Sequence, residues 1–191
     1  NITFESYLSY KSCGCKYKPM ADFNLTKYLR MTQTYGTYSK SGLVTVCRVL
    51  NTEIKLCGSI DINIYGYYQY SGTIYYFEIK CTTTEDSMKT GHFLADCKFV
   101  KDTKPDSLLS QYQMNMTVID TDYENYAIIY NCIDYGFWIE DNIEILQTDI
   151  NDCDDPVNEA LVRKGMKLED FISRNASYCI NHGKQDEKKE K

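Results

Sequence analysis

The chain has 191 residues, 43% hydrophobic and 25% charged, enough for one domain with a sizeable core. Its net charge of −6 offers no basic footprint for nucleic acid. No apolar run approaches the ~20 residues of a membrane helix, so neither nucleic acid nor membrane is expected as a partner.

Nine cysteines and four glycosylation sequons, at Asn1, Asn24, Asn115 and Asn175, favour a secreted, oxidised protein. No signal peptide is visible, so the chain reads as mature. Nine is odd, which leaves one thiol over or paired with another chain. Cys13-Gly14-Cys15 has no matching second pair, and the only histidines are His92 and His182, so no metal site is expected. Eighteen tyrosines stand against seven Phe and one Trp, which suits either a Tyr-rich β protein or a Tyr-lined pocket.

Residues 1–22 form a lead-in pinned through cysteine, with Asp22 placed to cap a short turn over Phe23 to Leu29. Strand signals begin at Thr34 to Val49, where Val44, Val46 and Val49 are strongly β-prone. Ile60 to Tyr68 alternates cleanly, with Ile60, Ile62 and Ile64 against Asp61, Asn63 and Tyr65, and Ser71-Gly72 turns the chain. Ile74 to Cys81 alternates again, Thr82 to Gly91 reads as a polar turn, and Phe93 to Val100 as a short strand. Met114 to Cys132 is a hairpin: Met114, Met116 and Val118 alternate with Asn115, Thr117 and Ile119, Asp120-Thr121-Asp122 turns, and Tyr126 to Cys132 is the return strand. Ile143 to Thr148 is the last strand. About eight strands with short connections predict an all-β, antiparallel meander that closes into an up-and-down barrel over residues 23–150.

Residues 151–183 change character. Asp155-Pro156 reads as an N-cap with proline at the first helical position, Val157, Leu161 and Val162 form an apolar side, and Gly165 stops the helix. Residues 184–191 carry mixed charge and no apolar residue, the composition of a disordered tail.

Asp120-Thr121-Asp122-Tyr123 with Asn125-Tyr126-Ala127 and Cys132 resembles the late hairpin of the triabin-like salivary lipocalins of blood-feeding triatomine bugs. Lys18-Pro19-Met20, Phe23-Asn24, Lys27-Tyr28-Leu29 and Lys167-Leu168-Glu169-Asp170-Phe171-Ile172 extend the resemblance over residues 13–182. It implies an eight-stranded lipocalin barrel with a flanking C-terminal helix and a turn plugging one end. It implies release into saliva, where such proteins sequester amines, cysteinyl leukotrienes, thromboxane, nucleotides or haem-bound nitric oxide, and where one branch inhibits thrombin. It also implies the disulfides Cys47–Cys179, Cys81–Cys97 and Cys132 with Cys13 or Cys15, leaving Cys57, Cys153 and one N-terminal cysteine unassigned. By chain entropy the second loop is worth about 3 kcal/mol and the first nearer 5. The family's Gly-x-Trp on the first strand is replaced here by Met31-Thr32-Gln33, while the single Trp138 lies near the last strand.

No nucleophile–base pair, phosphate loop or metal cluster is visible, so an enzyme is not expected. Haem binding needs a histidine on Ile60 to Tyr68, which has none, and no cofactor is expected. With the more apolar faces inward, the cavity receives Ile60, Ile62, Ile64, Tyr75, Phe77, Ile79, Met114, Met116, Val118, Ile128 and Tyr130. That uncharged lining favours an eicosanoid over a biogenic amine, since a bare ammonium is costly to bury there. Tyr65, Tyr75 and Tyr130 are candidate hydroxyls for its polar end, and Arg48 the candidate cation. Glu144, between Ile143 and Ile145, keeps an amine as the alternative, because a slip of one residue turns it inward. A coagulation-protein inhibitor acting through an acidic outer face is a further alternative. The expected partner is a small host mediator bound by a monomer.

Overall fold

The computed structural model describes residues 16–41, 45–134, 139–151 and 153–183. Eight antiparallel strands follow one another: β1 (Gln33–Ser39), β2 (Thr45–Ile54), β3 (Ser59–Tyr70), β4 (Thr73–Thr84), β5 (His92–Asp102), β6 (Gln111–Thr121), β7 (Tyr126–Asp134) and β8 (Ile139–Gln147). Each pairs with the next, and β1 pairs with both β8 and β2, closing the barrel. The alternations of β3 and β6 set their registers as expected: Ile60, Ile62, Ile64, Met114, Met116 and Val118 all join the interior cluster. Asn115, across from Cys132 and Leu94, faces out.

One end is closed. Asn24 caps helix α1 (Leu25–Tyr28), its side chain accepting from Lys27 N at 2.9 Å. This corrects the expectation for Asp22, which instead adopts a positive φ of 55°. The expected polar turn after β4 contains a second short helix, α2 (Glu85–Met88), because Thr84 caps it and Met88 is buried under the barrel. Met31 packs into this end in place of a larger ring and is buried. Phe23 seals the outside, its ring so close to Gly91 that a Cβ there would come within 2.9 Å, at a φ of +78°.

The outer face of β6, β7 and β8 is covered by helix α3 (Asp155–Arg163), whose Val157, Ala160 and Leu161 pack on Ile119, Ile128, Tyr130, Ile143 and Ile145. Its N-cap is Asp154 rather than Asp155, and that carboxylate is occupied elsewhere. It accepts from Tyr38 Oη at 2.6 Å and Gln147 Nε2 at 3.2 Å.

A third cluster lies under helix α4 (Ala176–His182), where Cys47–Cys179 ties the helix to β2 among Val49, Tyr65, Tyr67 and Tyr76. Cys81–Cys97 joins directly opposed residues of β4 and β5 inside the barrel. Cys132 is also disulfide-bonded, while the expected partners Cys13 and Cys15 lie outside the described residues. Cys57 and Cys153 are free and exposed.

The wall between β1 and β2 is incomplete as a ladder. They pair only from Gln33 to Tyr35 against Asn51 to Val49, and then diverge. The chain before α4 fills the gap. The two-residue strand β9 (Ile172–Ser173) pairs with Tyr38 and Ser39, Arg174 N donates to Thr37 O at 2.8 Å, and Asn175 N donates to Val46 O at 2.9 Å. These bonds satisfy strand edges that would otherwise be open.

Candidate functional site

The interior divides into two layers. At the closed end Leu29, Met31, Leu50, Met88, Phe93, Met116 and Leu146 leave a void of only about 20 Å³, room for about one water. Toward the open end the strands enclose a cavity of about 270 Å³. One wall is apolar: Ile64, Ile79, Phe99, Tyr112 and Met114 from β3 to β6, with Ile133 from β7. The other is polar: Arg48 from β2, Asn131 from β7, Glu144 from β8 and Arg174 from the segment filling the seam.

Glu144 holds the polar wall together. Its Oε1 accepts from Arg48 Nη1 at 2.9 Å and its Oε2 from Asn131 Nδ2 at 2.8 Å. The Arg48 and Glu144 side chains are 25% and 13% exposed, so water screens this pair weakly. The Arg48 guanidinium also lies 5.7 Å from the centre of the Phe77 ring. Two buried polar atoms lack a partner among the described residues, Arg48 Nε and Asn131 Oδ1. An unpaired buried donor or acceptor costs about 1–3 kcal/mol, so a ligand that supplies an acceptor to one and a donor to the other recovers that cost. Burial and the neighbouring Arg48 lower the pKa of Arg174, with Glu144 opposing them.

The structure redistributes the residues expected to bind ligand. Met114, Arg48 and Glu144 line the cavity, and Phe77 stands beside Arg48. Met116 sits in the packed closed end. Tyr75 is half-buried against Tyr68, with ring centres 5.7 Å apart, and is not among the cavity walls. Two expectations are reversed. Tyr65 stands on the outer face under α4, because β3 turns its isoleucines inward. Tyr130 and Ile128 also point out, into the cluster beneath α3, with Tyr130 Oη donating to Asp141 Oδ2 at 2.7 Å. Helix α3 covers the outer face of β7 and makes that face apolar too, and the strand's inward residues are Ile129, Asn131 and Ile133. Asn131, Phe99 and Arg174 were not anticipated. Period-2 counting from Phe93 could have found Phe99, whereas nothing near Arg174 in sequence marks it as interior.

Of the sequons, Asn24 and Asn175 are exposed and Asn115 is half-buried, while Asn1 lies outside the described residues. Among the described residues no cluster of His, Cys, Asp and Glu could hold a metal ion.

The Triabin family model matches residues 10–161. Pallidipin of Meccus pallidipennis is 30% identical over 169 residues, covering 87% of this chain and 88% of its own. Triafestin-1 of Triatoma infestans is 31% identical over 160 residues, covering 81% and 75%. Among solved structures, the tryptamine complex of the amine-binding protein of Rhodnius prolixus superposes with a TM-score of 0.70, at 19% identity over 93% of this chain and 92% of that one. A point mutant of LTBP1 in complex with leukotriene C4 gives 0.59, at 19% identity over 83% and 90%. The closed eight-stranded barrel, the helix on its flank and these matches agree: the chain belongs to the Triabin family and is a triabin-like lipocalin.

Proposed function

We propose that this protein is a secreted, monomeric scavenger that sequesters a small host mediator in the open half of its barrel, and that the mediator is an eicosanoid. It is a binding protein and not an enzyme. The observation that carries this reading is the two-sided cavity, with an unpartnered donor and an unpartnered acceptor on its polar wall. A hydroxylated lipid acid matches both sides. Its hydrocarbon lies against Ile64, Ile79, Phe99 and Met114, its carboxylate accepts from Arg48, and a hydroxyl donates to Asn131 Oδ1. Eicosanoid binding also has a parallel in LTBP1, whose solved complex holds leukotriene C4.

A biogenic amine is the second reading, favoured by the inward position of Glu144 and by the tryptamine complex of the Rhodnius protein. It is the weaker one here, because both Glu144 oxygens are engaged by Arg48 and Asn131. An ammonium would have to share a carboxylate whose charge the Arg48 guanidinium already neutralises. Calorimetry with leukotriene C4, leukotriene B4, a thromboxane analogue, serotonin and ADP tests the proposal. One-to-one binding of an eicosanoid acid with weak or absent serotonin binding is expected. The reverse order of affinities refutes it.

A further inference from the structure

We infer that Arg174, carried into the barrel through the seam between β1 and β2, is the second guanidinium of the site and binds the ligand's carboxylate beside Arg48. The inference rests on the lipid-acid reading above and names the residue that sets its charge preference.

The seam makes the placement possible. Where β1 and β2 part, the segment 172–175 is laced to both by the backbone bonds of Arg174 N to Thr37 O and Asn175 N to Val46 O. Arg174 therefore stands at a fixed point in the wall, and its side chain lines the cavity with Arg48 and Glu144. Its Nη1 donates to Thr45 O at 2.9 Å. That single bond leaves the rest of a five-donor fork available.

Charge then selects the ligand. Arg48 is matched by Glu144 at 2.9 Å. Arg174 has no carboxylate within ion-pair distance among the described residues, and is half-buried. Arg48, Glu144 and Arg174, the three half-buried charges that the polar wall turns inward, therefore leave one positive charge over. Two further carboxylates line the cavity: Glu140 is exposed, where solvent screens it, and Asp141 is engaged outside, accepting from Tyr130 Oη at 2.7 Å and pairing with Lys16 at 3.8 Å. A planar carboxylate fits the guanidinium fork through two parallel hydrogen bonds, while an ammonium meets an unmatched cation. The depressed pKa of Arg174, from burial and from Arg48, agrees with a site that gains from an added anion.

Calorimetry with leukotriene B4 and its methyl ester, on the parent, Arg174→Gln and Arg174→Lys, tests the assignment. The parent should bind the acid at least tenfold more tightly than the ester. Arg174→Gln should lose that preference by weakening the acid about tenfold and leaving the ester unchanged, and Arg174→Lys should keep part of it. Equal weakening of acid and ester in Arg174→Gln would mean that the arginine only holds the seam, and overturns the inference. So does an acid affinity unchanged by the substitution, or a parent that binds the ester as tightly as the acid. A parent that binds neither overturns the lipid reading itself.

Discussion

Glu144→Gln separates the two ligand classes and tests the energetics of the polar wall. Gln keeps the shape of Glu and an acceptor for one neighbour, but removes the charge that matches Arg48 at 2.9 Å. Removing one partner of a fully buried pair costs about 3–5 kcal/mol. These side chains are 25% and 13% exposed, so water recovers part of that, and about 2 kcal/mol is expected. For a chain of this size that lowers Tm by roughly 4–8 °C, measurable by calorimetric unfolding. Arg48, Arg174 and position 144 go from one positive charge over to two, so a lipid acid should bind the folded variant as tightly as the parent or up to about tenfold more tightly. An amine should bind neither form well. Two results refute the reasoning: an unchanged Tm, which would mean that the pair is not coupled to folding, or tight serotonin binding by the parent that collapses in the variant, which would make Glu144 an ammonium site.

Other substitutions divide the barrel by layer. Met116→Lys puts an ammonium into the packed closed end, where no carboxylate lines the void, and should destabilise the protein by several kcal/mol in denaturant unfolding. Met114→Trp, on the cavity wall, should change stability by about 1 kcal/mol or less yet weaken ligand binding more than tenfold by filling the slot. Gly66→Ala should cost about 3 kcal/mol or prevent folding, because a Cβ there would overlap the Cys47 carbonyl where β2 bulges against β3. Asp61 tests the acid side. Lys80 at 3.1 Å holds its pKa below the ordinary carboxylate value, burial opposes this, and Thr82 assists. With the folded pKa depressed, its contribution is complete above the unfolded carboxylate pKa of ~3.9 and lost as pH falls through the folded value. Asp61→Asn should therefore remove about 0.5–1 kcal/mol at pH 7 and progressively less as pH falls below ~3.9, as read by urea unfolding across that range.

How much of this was legible in the chain depends on what each face meets. β3 and β6 are covered unequally on their two sides, so period-2 alternation revealed both the strand and its inward residues. Tyr126 to Tyr130 is apolar throughout because the barrel lies on one side and α3 on the other, so its pattern carries no parity. The family resemblance could place that strand but not orient it, and Tyr130 went to the wrong face. Glu144 was recognised as ambiguous for the same reason: Ile143 and Ile145 look like core, and they are, but in the outer cluster. Arg174 was out of reach. It enters the barrel only because β1 and β2 diverge and a segment more than 120 residues later in the chain fills the gap, a contact with no local signature.

The most direct measurement is a crystal structure of the protein bound to leukotriene B4. The account predicts the carboxylate between Arg48 and Arg174, the hydrocarbon along Ile64, Ile79, Phe99 and Met114, and the closed end around Met116 packed as before. It is contradicted by a lipid carboxylate held away from both arginines, or by a serotonin complex in which the ammonium lies against Glu144 with Arg48 displaced.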